Sequence, residues 1–180
     1  MTRTIALCGI LLLPLLARAQ EGAMEFGVDA SIGYVLTDNG DGFDRPDVFV
    51  ITLPIMGFRF GYFVTNVLSI EPAFNLQFAS SDGDSFTDLS VAAGLLYHFS
   101  ADPESTRPFV RVAPTVRLIN GGDETVSQFG LAGQVGVKAP LRGGLAARLA
   151  VGVEKDFEND DFGGTTTIFG MFGLSFIVDR

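Results

Sequence analysis

Residues 68–78 read LSIEPAFNLQF, and their polarity alternates without a break. Leu68, Ile70, Pro72, Phe74, Leu76 and Phe78 are apolar, whereas Ser69, Glu71, Ala73, Asn75 and Gln77 are polar or small. Successive side chains of a β-strand point to opposite faces, so this stretch predicts a strand with one greasy face and one polar face. The fold then turns on whether each face meets protein, water or lipid.

The same period of two recurs along the chain. Met24, Phe26, Val28, Ala30, Ile32, Tyr34 and Leu36 oppose Glu25, Gly27, Asp29, Ser31 and Gly33. Phe58, Phe60 and Tyr62 oppose Gly57, Arg59 and Gly61, although "VFVITLPI" (48–55) just before them is apolar on both faces. Further strands set Leu89, Val91, Leu95 and Tyr97 against Asp88, Ser90, Gly94 and His98, and Val110, Val112, Val116 and Leu118 against Arg111, Thr115 and Arg117. The last three set Phe129, Leu131, Val135 and Val137 against Gln128, Gln134 and Lys138; Leu149, Val151 and Val153 against Arg148 and Glu154; and Phe172, Leu174, Phe176 and Val178 against Gly173 and Ser175.

Eight strands result, separated by "TDNGDGFDRPD", "TN", "SSDGDS", "SADPESTR", "NGGDE", "LRGG" and "ENDDFGG", all of turn-forming composition. Short sequential connections imply an antiparallel meander. Closing eight such strands into a barrel removes the exposed edges.

Residues 1–19 read as a cleavable signal: Arg3, an apolar run from Ile5 to Leu16, and "ARA" before Gln20. The run is shorter than the roughly 20 residues a spanning helix needs. Cys8 falls inside it, and Leu7 before it does not suit a lipoprotein site, so residues 20–180 form one cysteine-free domain without disulfides or thiol chemistry. That domain keeps ten of the twelve basic residues against 21 acidic ones, a balance of −11, which argues against nucleic acid as a partner.

Which face lies outside follows from what the polar face carries. A soluble barrel would show water many long charged side chains, yet this face is rich in glycine and the chain has only two lysines, Lys138 and Lys155. Its charges are near balance: Asp29, Glu71, Asp88 and Glu154 against Arg59, Arg111, Arg117, Lys138 and Arg148. That set suits a narrow lumen in which charges pair, since unpaired buried charges are costly. The apolar face becomes a lipid-facing band, with Tyr62, Tyr97, Phe99 and Phe176 as girdle aromatics. Only a closed barrel satisfies strand backbones in hydrocarbon, so the expected fold is an all-β, eight-stranded, up-and-down transmembrane β-barrel.

At "PIMGFRFGYFVTNVLSIEPAFNLQF" (54–78) and "RPFVRVAPTVRLI" (107–119) the chain resembles the small outer-membrane protein β-barrel family, the OmpA-like and OmpX-like eight-stranded barrels. The resemblance implies a place in the outer membrane of a Gram-negative bacterium, reached by export through the periplasm. It implies a structural or surface-interaction role, with outer-membrane lipid and lipopolysaccharide as surroundings. The barrel assembly machinery and periplasmic chaperones would act during biogenesis, and the protein would be a monomer. The chain ends "FIVDR" where such barrels usually end on an aromatic, which leaves Phe176 as the last aromatic. No cofactor, metal or catalytic residue is expected. A narrow channel or small-solute carrier is the alternative, and a lipid-modifying enzyme a third reading.

Two motifs invite chemistry. His98, the only histidine, lies near Ser100, a spacing that suits a nucleophile and base, but its parity points it into the lumen. "DNGDGFD" (38–44) has part of a calcium-loop pattern, with Thr37 and Val48 where ligands belong. An even strand number places residues 38–47, 80–85, 120–125 and 157–164 outside the cell, and their many acids against Arg45 would allow cation bridges to lipopolysaccharide. A three-residue turn, Val64 to Asn66, would set Arg59 opposite Glu71 as a lumen salt bridge, with Gly57 and Gly61 making room for the arginine and Phe60 meeting Ile70 on the lipid face.

Overall fold

The structure, a computed structural model, describes residues 21–37, 48–52, 57–81, 84–121, 124–158 and 163–178. The expected signal, the "DNGDGFD" motif and most of the acidic tip residues lie outside these. Among the described residues nine strands follow one another: β1 (Met24–Thr37), β2 (Val48–Thr52), β3 (Gly57–Phe63), β4 (Leu68–Ser81), β5 (Asp84–His98), β6 (Arg107–Gly121), β7 (Glu124–Pro140), β8 (Leu145–Asp156) and β9 (Thr165–Val178). All pairings are antiparallel: β2 and β3 both pair with β1, each strand from β3 to β8 pairs with the next, and β1 closes on β9 from Met24↔Val178 to Thr37↔Thr165.

β2 and β3 both pair with β1 and together make one strand of the wall, so the barrel is eight-stranded. Between Ser31↔Thr52 and Val28↔Phe58, β1 advances three residues while its partner advances six. The odd difference reverses the pairing parity between the two segments: even-numbered β3 residues face even-numbered β1 residues, but odd-numbered β2 residues do. A single alternation therefore cannot run from Val48 to Phe63, the segment where the sequence shows none.

The faces are sorted inside out relative to a soluble protein. Arg59, Glu71, Asp88, Arg111, Lys138 and Arg148 are buried, while Phe58, Ile70, Leu95, Val112, Val135 and Leu149 are exposed. Arg148 is 1% exposed and its neighbour Leu149 60%, so one step along β8 crosses from interior to exterior. Such a continuous exposed apolar surface is out of keeping with water. Tyr62, Tyr97 and Phe99 are exposed and Phe176 half-buried near the end where β1 starts and β9 stops, here termed the terminal end; Tyr97 and Phe99 meet edge to face at 5.3 Å.

Three turns lie at the terminal end. Gly143 and Gly144 adopt φ of 72° and 76°, a left-handed pair open to glycine, and Leu141 N donates to Leu145 O to close that hairpin. The β3–β4 turn is longer than the sequence suggests. It pairs Phe63 with Ser69, and Thr65 Oγ1 accepts from the N–H groups of Val67 and Leu68. Arg59 consequently stands opposite Ala73, not Glu71, and Tyr62 rather than Phe60 meets Ile70. At the opposite, loop end, pairing continues to Ser81↔Asp84 and Gly121↔Glu124, so much of the expected loops 80–85 and 120–125 is strand.

Candidate functional site

The interior is the part of the molecule where polar chemistry concentrates, and its parity places it. Glu25 and Asp29 come from β1, Arg59 from β3, Glu71 from β4, Arg111 from β6, Lys138 from β7 and Arg148 from β8, all inward on their strands. Glu71 is the hub. Its Oε1 lies 2.7 Å from Arg148 Nη1 and 3.1 Å from Arg111 Nε, and its Oε2 lies 3.3 Å from both Arg59 Nη1 and Lys138 Nζ. Arg111 Nη2 also donates to the Glu71 backbone carbonyl at 3.2 Å.

Glu25 is a second acceptor, 2.5 Å from Arg59 Nη1 and 2.8 Å from Lys138 Nζ. Asp29 takes Arg59 Nε at 3.0 Å, and Arg148 Nη2 donates to Gln134 Oε1 at 2.8 Å. Glu25, Glu71, Arg59, Lys138 and Arg148 have side chains no more than 1% exposed. Carboxylates this dry are tolerable only because several cations share them. The result is a cross-braced plug that ties β1, β3, β4, β6, β7 and β8 together across the lumen.

Glycine makes the room, though not the glycines nearest in sequence. A Cβ on Gly27, across from Arg59 on β1, would stand 2.5 Å from Arg59 Nη2; Cβ atoms on Gly57 and Gly61 would meet Asp29 O and Glu25 Cβ instead. Gly94 gives the same clearance to Arg111, and Gly173 to Asp29.

A second charge group sits toward the loop end. Arg117 binds Asp88 through Nε and Nη2, and its Nη1 lies 3.3 Å from Asp156 Oδ2, which also accepts from Thr165 Oγ1. Glu154 closes no ion pair among the described residues. The nine network residues named from sequence thus divide into a terminal-end plug of Asp29, Arg59, Glu71, Arg111, Lys138 and Arg148, a loop-end pair Asp88–Arg117, and Glu154, which sits beside Thr115. Glu25 and Asp156 join them and Arg107 is buried beneath the plug, and all three carry the inward parity of neighbours already in the set.

Below the plug apolar side chains enter the lumen, in contrast to the wholly polar interior expected from the sequence. Phe63, Ala146, Ile177 and Ala23 form a buried cluster, and Leu96, Phe109 and Ala150 another. His98 is fully buried, stacked on Phe63 at 5.5 Å and edge-on to Phe109 at 6.4 Å, with neither ring nitrogen hydrogen-bonded. Arg107 lies over the Phe63 ring, and Arg148 and Lys138 over Phe109. Ser100 is instead engaged with Ser105 in the β5–β6 turn. His98 and Ser100 therefore make no catalytic pair. Among the described residues no cluster of three metal-ligating side chains occurs.

Between the plug and the loop end lies a cavity of about 190 Å³, walled by Asp29, Asn75, Arg111, Arg117, Gln134 and Glu154 among others. The lumen is thus shut at one end and hollow toward the other.

Compared with known structures, the chain is similar to Neisserial surface protein A (TM-score 0.61, 13% identity, 87% of this chain and 99% of that one). It is also similar to Ail, the attachment invasion locus protein of Yersinia pestis (TM-score 0.52, 14% identity, 88% and 99%), and to the outer membrane enzyme PagL (TM-score 0.51, 14% identity, 82% and 97%). Compared by sequence with curated proteins, it matches none. The model of the outer membrane protein beta-barrel domain matches residues 5–176. With that match over nearly its whole length, and an exterior built for lipid, the chain belongs to the outer membrane protein β-barrel family and is an integral protein of the Gram-negative outer membrane.

Proposed function

We propose that the protein serves the envelope as a closed barrel with a structural or surface-interaction role, and that it neither conducts solutes nor catalyses a reaction. The observation that carries this reading is Glu71, a fully buried carboxylate held by four cations from four different strands. Moving a solute past it would require breaking buried ion pairs at about 3 to 5 kcal/mol each. A surface role is supported by likeness to two barrels whose names denote a surface protein and an attachment protein. We further propose that residues 1–19 are removed on export, that periplasmic chaperones and the assembly machinery deliver the chain, with Phe176 as the recognised aromatic, and that it remains a monomer.

Purified barrel in planar lipid bilayers is expected to give no stepwise conductance at either polarity, and regular open-channel steps would overturn the closed reading. PagL shows that an enzyme can share this fold. The sole histidine here is sealed in the lumen, away from lipid, which supports a non-catalytic role. Expression in a Gram-negative host should therefore leave the mass spectrum of lipid A unchanged.

A further inference from the structure

The cavity on the loop side of the plug has charges arranged by height. In the plug, three carboxylates (Glu25, Asp29, Glu71) face four cations (Arg59, Arg111, Lys138, Arg148). Toward the loop end, three carboxylates (Asp88, Glu154, Asp156) face the single cation Arg117. The plug beneath the cavity thus carries one excess cation and the group above it two excess carboxylates, while Asp29, Arg111, Arg117 and Glu154 line the cavity itself.

Two wall groups are left with capacity. Glu154 lines the cavity with Arg111 and Arg117, yet no guanidinium nitrogen of either lies within the 4.0 Å of an ion pair. Asn75 Oδ1 is buried without a hydrogen-bond partner. At about 190 Å³ the space has room for several waters. Polar groups in such a space need water or a ligand to complete them.

We propose that this cavity is a binding site for a small zwitterion of amino-acid type, its carboxylate toward Arg111 on the floor and its ammonium toward Glu154 on the wall. A cation alone would satisfy Glu154 but leave the plug's excess positive charge uncompensated, since Arg111 shares Glu71 with three other cations, and an anion alone would leave Glu154 unpaired. The site lies above the plug and requires no passage through the barrel. Failure of binding leaves the closed-barrel reading intact, and conductance would not by itself count against binding.

The test uses the folded full-length barrel in lipid nanodiscs, followed by the NMR signal of the Asn75 side-chain amide. The probes are L-alanine and its two halves, propionate, which lacks the ammonium, and ethylammonium, which lacks the carboxylate. L-Alanine is expected to shift the signal saturably, with each half-molecule about tenfold or more weaker, the size of one lost charge-assisted hydrogen bond. Glu154→Gln, which breaks no ion pair among the described residues, should weaken alanine by a similar factor. Ala132→Leu, which fills the cavity from the position opposite Glu154 and removes no charge, should abolish the response. Retained gel mobility shifts on boiling will establish that both variants are folded. No saturable shift with alanine, equal binding by ethylammonium, or full binding by either folded variant would overturn the proposal.

Discussion

Arg59 stands opposite Ala73 on the neighbouring strand, yet its guanidinium reaches along the strand to Glu71, Nη1 to Oε2 at 3.3 Å. The pair is diagonal, and neither residue belongs to the other alone. Arg59 is also held by Glu25 and Asp29, and Glu71 by Arg111, Lys138 and Arg148. Removing one partner, as in Arg59→Ala, should destabilise the barrel by about 3 to 5 kcal/mol, because buried carboxylates lose their counter-charge. Reversing both, Arg59→Glu with Glu71→Arg, should recover nothing. It would put a third carboxylate beside Glu25 and Asp29, and a cation among three others. Urea titration of refolded protein in lipid decides the matter, and a reversed double variant more stable than Arg59→Ala would show an isolated pair.

Clearance for the plug gives a second expectation. Gly27→Ala places a methyl group against Arg59 Nη2, and the arginine must shift within a network already satisfied, at a cost of about 1 to 3 kcal/mol. Gly133→Ala, with nothing within 4 Å of its Cβ, should be neutral or slightly stabilising. Equal effects in the same titration would mean that packing around Arg59 is looser than these distances imply.

The lipid face can be tested by a single charge. Val112 is 53% exposed on the outer face of β6. Val112→Arg should cost roughly 2 to 4 kcal/mol if it enters the bilayer near its midplane. Val112→Leu, which keeps the surface apolar, should refold like the parent. Folding yield into vesicles provides the measurement, and tolerance of the arginine would argue that this face meets water.

Much of this wall was legible because alternation survives wherever one face is buried and the other meets lipid. Leu68 to Leu76 shows it plainly, with Glu71 inside and Ile70 outside. Register is harder. A hairpin slip of two residues preserves every face, so pairing Phe63 with Ser69 instead of Val67 leaves the same polarity pattern. The change of pairing parity between β2 and β3 has no sequence signature beyond the loss of alternation after Val48. Arg107 and Asp156 escaped notice for another reason. Both sit where a strand meets a turn-rich segment, "SADPESTR" or "ENDDFGG", and composition there masks their inward parity. The apolar cluster of Phe63, Leu96 and Phe109 beneath the plug is not legible from alternation, because parity tells which residues point inward and not which level of the lumen is polar.

His98 gives the last prediction. Its ring is buried between Phe63 and Phe109, its nitrogens have no hydrogen-bond partner, and Arg107 and Lys138 lie over the same two phenyl rings. A planar apolar ring meets every contact that this site provides, and it removes two unsatisfied polar atoms. His98→Phe should therefore change stability by no more than about 1 kcal/mol, since the lost desolvation penalty offsets the slight overpacking. His98→Lys should be damaging, because it adds a third cation beside Arg107 and Lys138 in a fully buried pocket walled by Phe63 and Phe109. A hydrogen-bonding or catalytic histidine would behave otherwise: its phenylalanine variant would lose stability or an activity, while the structural site described here keeps both. Denaturation midpoints of the two variants, read with the lipid A spectrum of cells expressing His98→Phe, separate these outcomes. A destabilised His98→Phe barrel would reveal a buried partner for the imidazole.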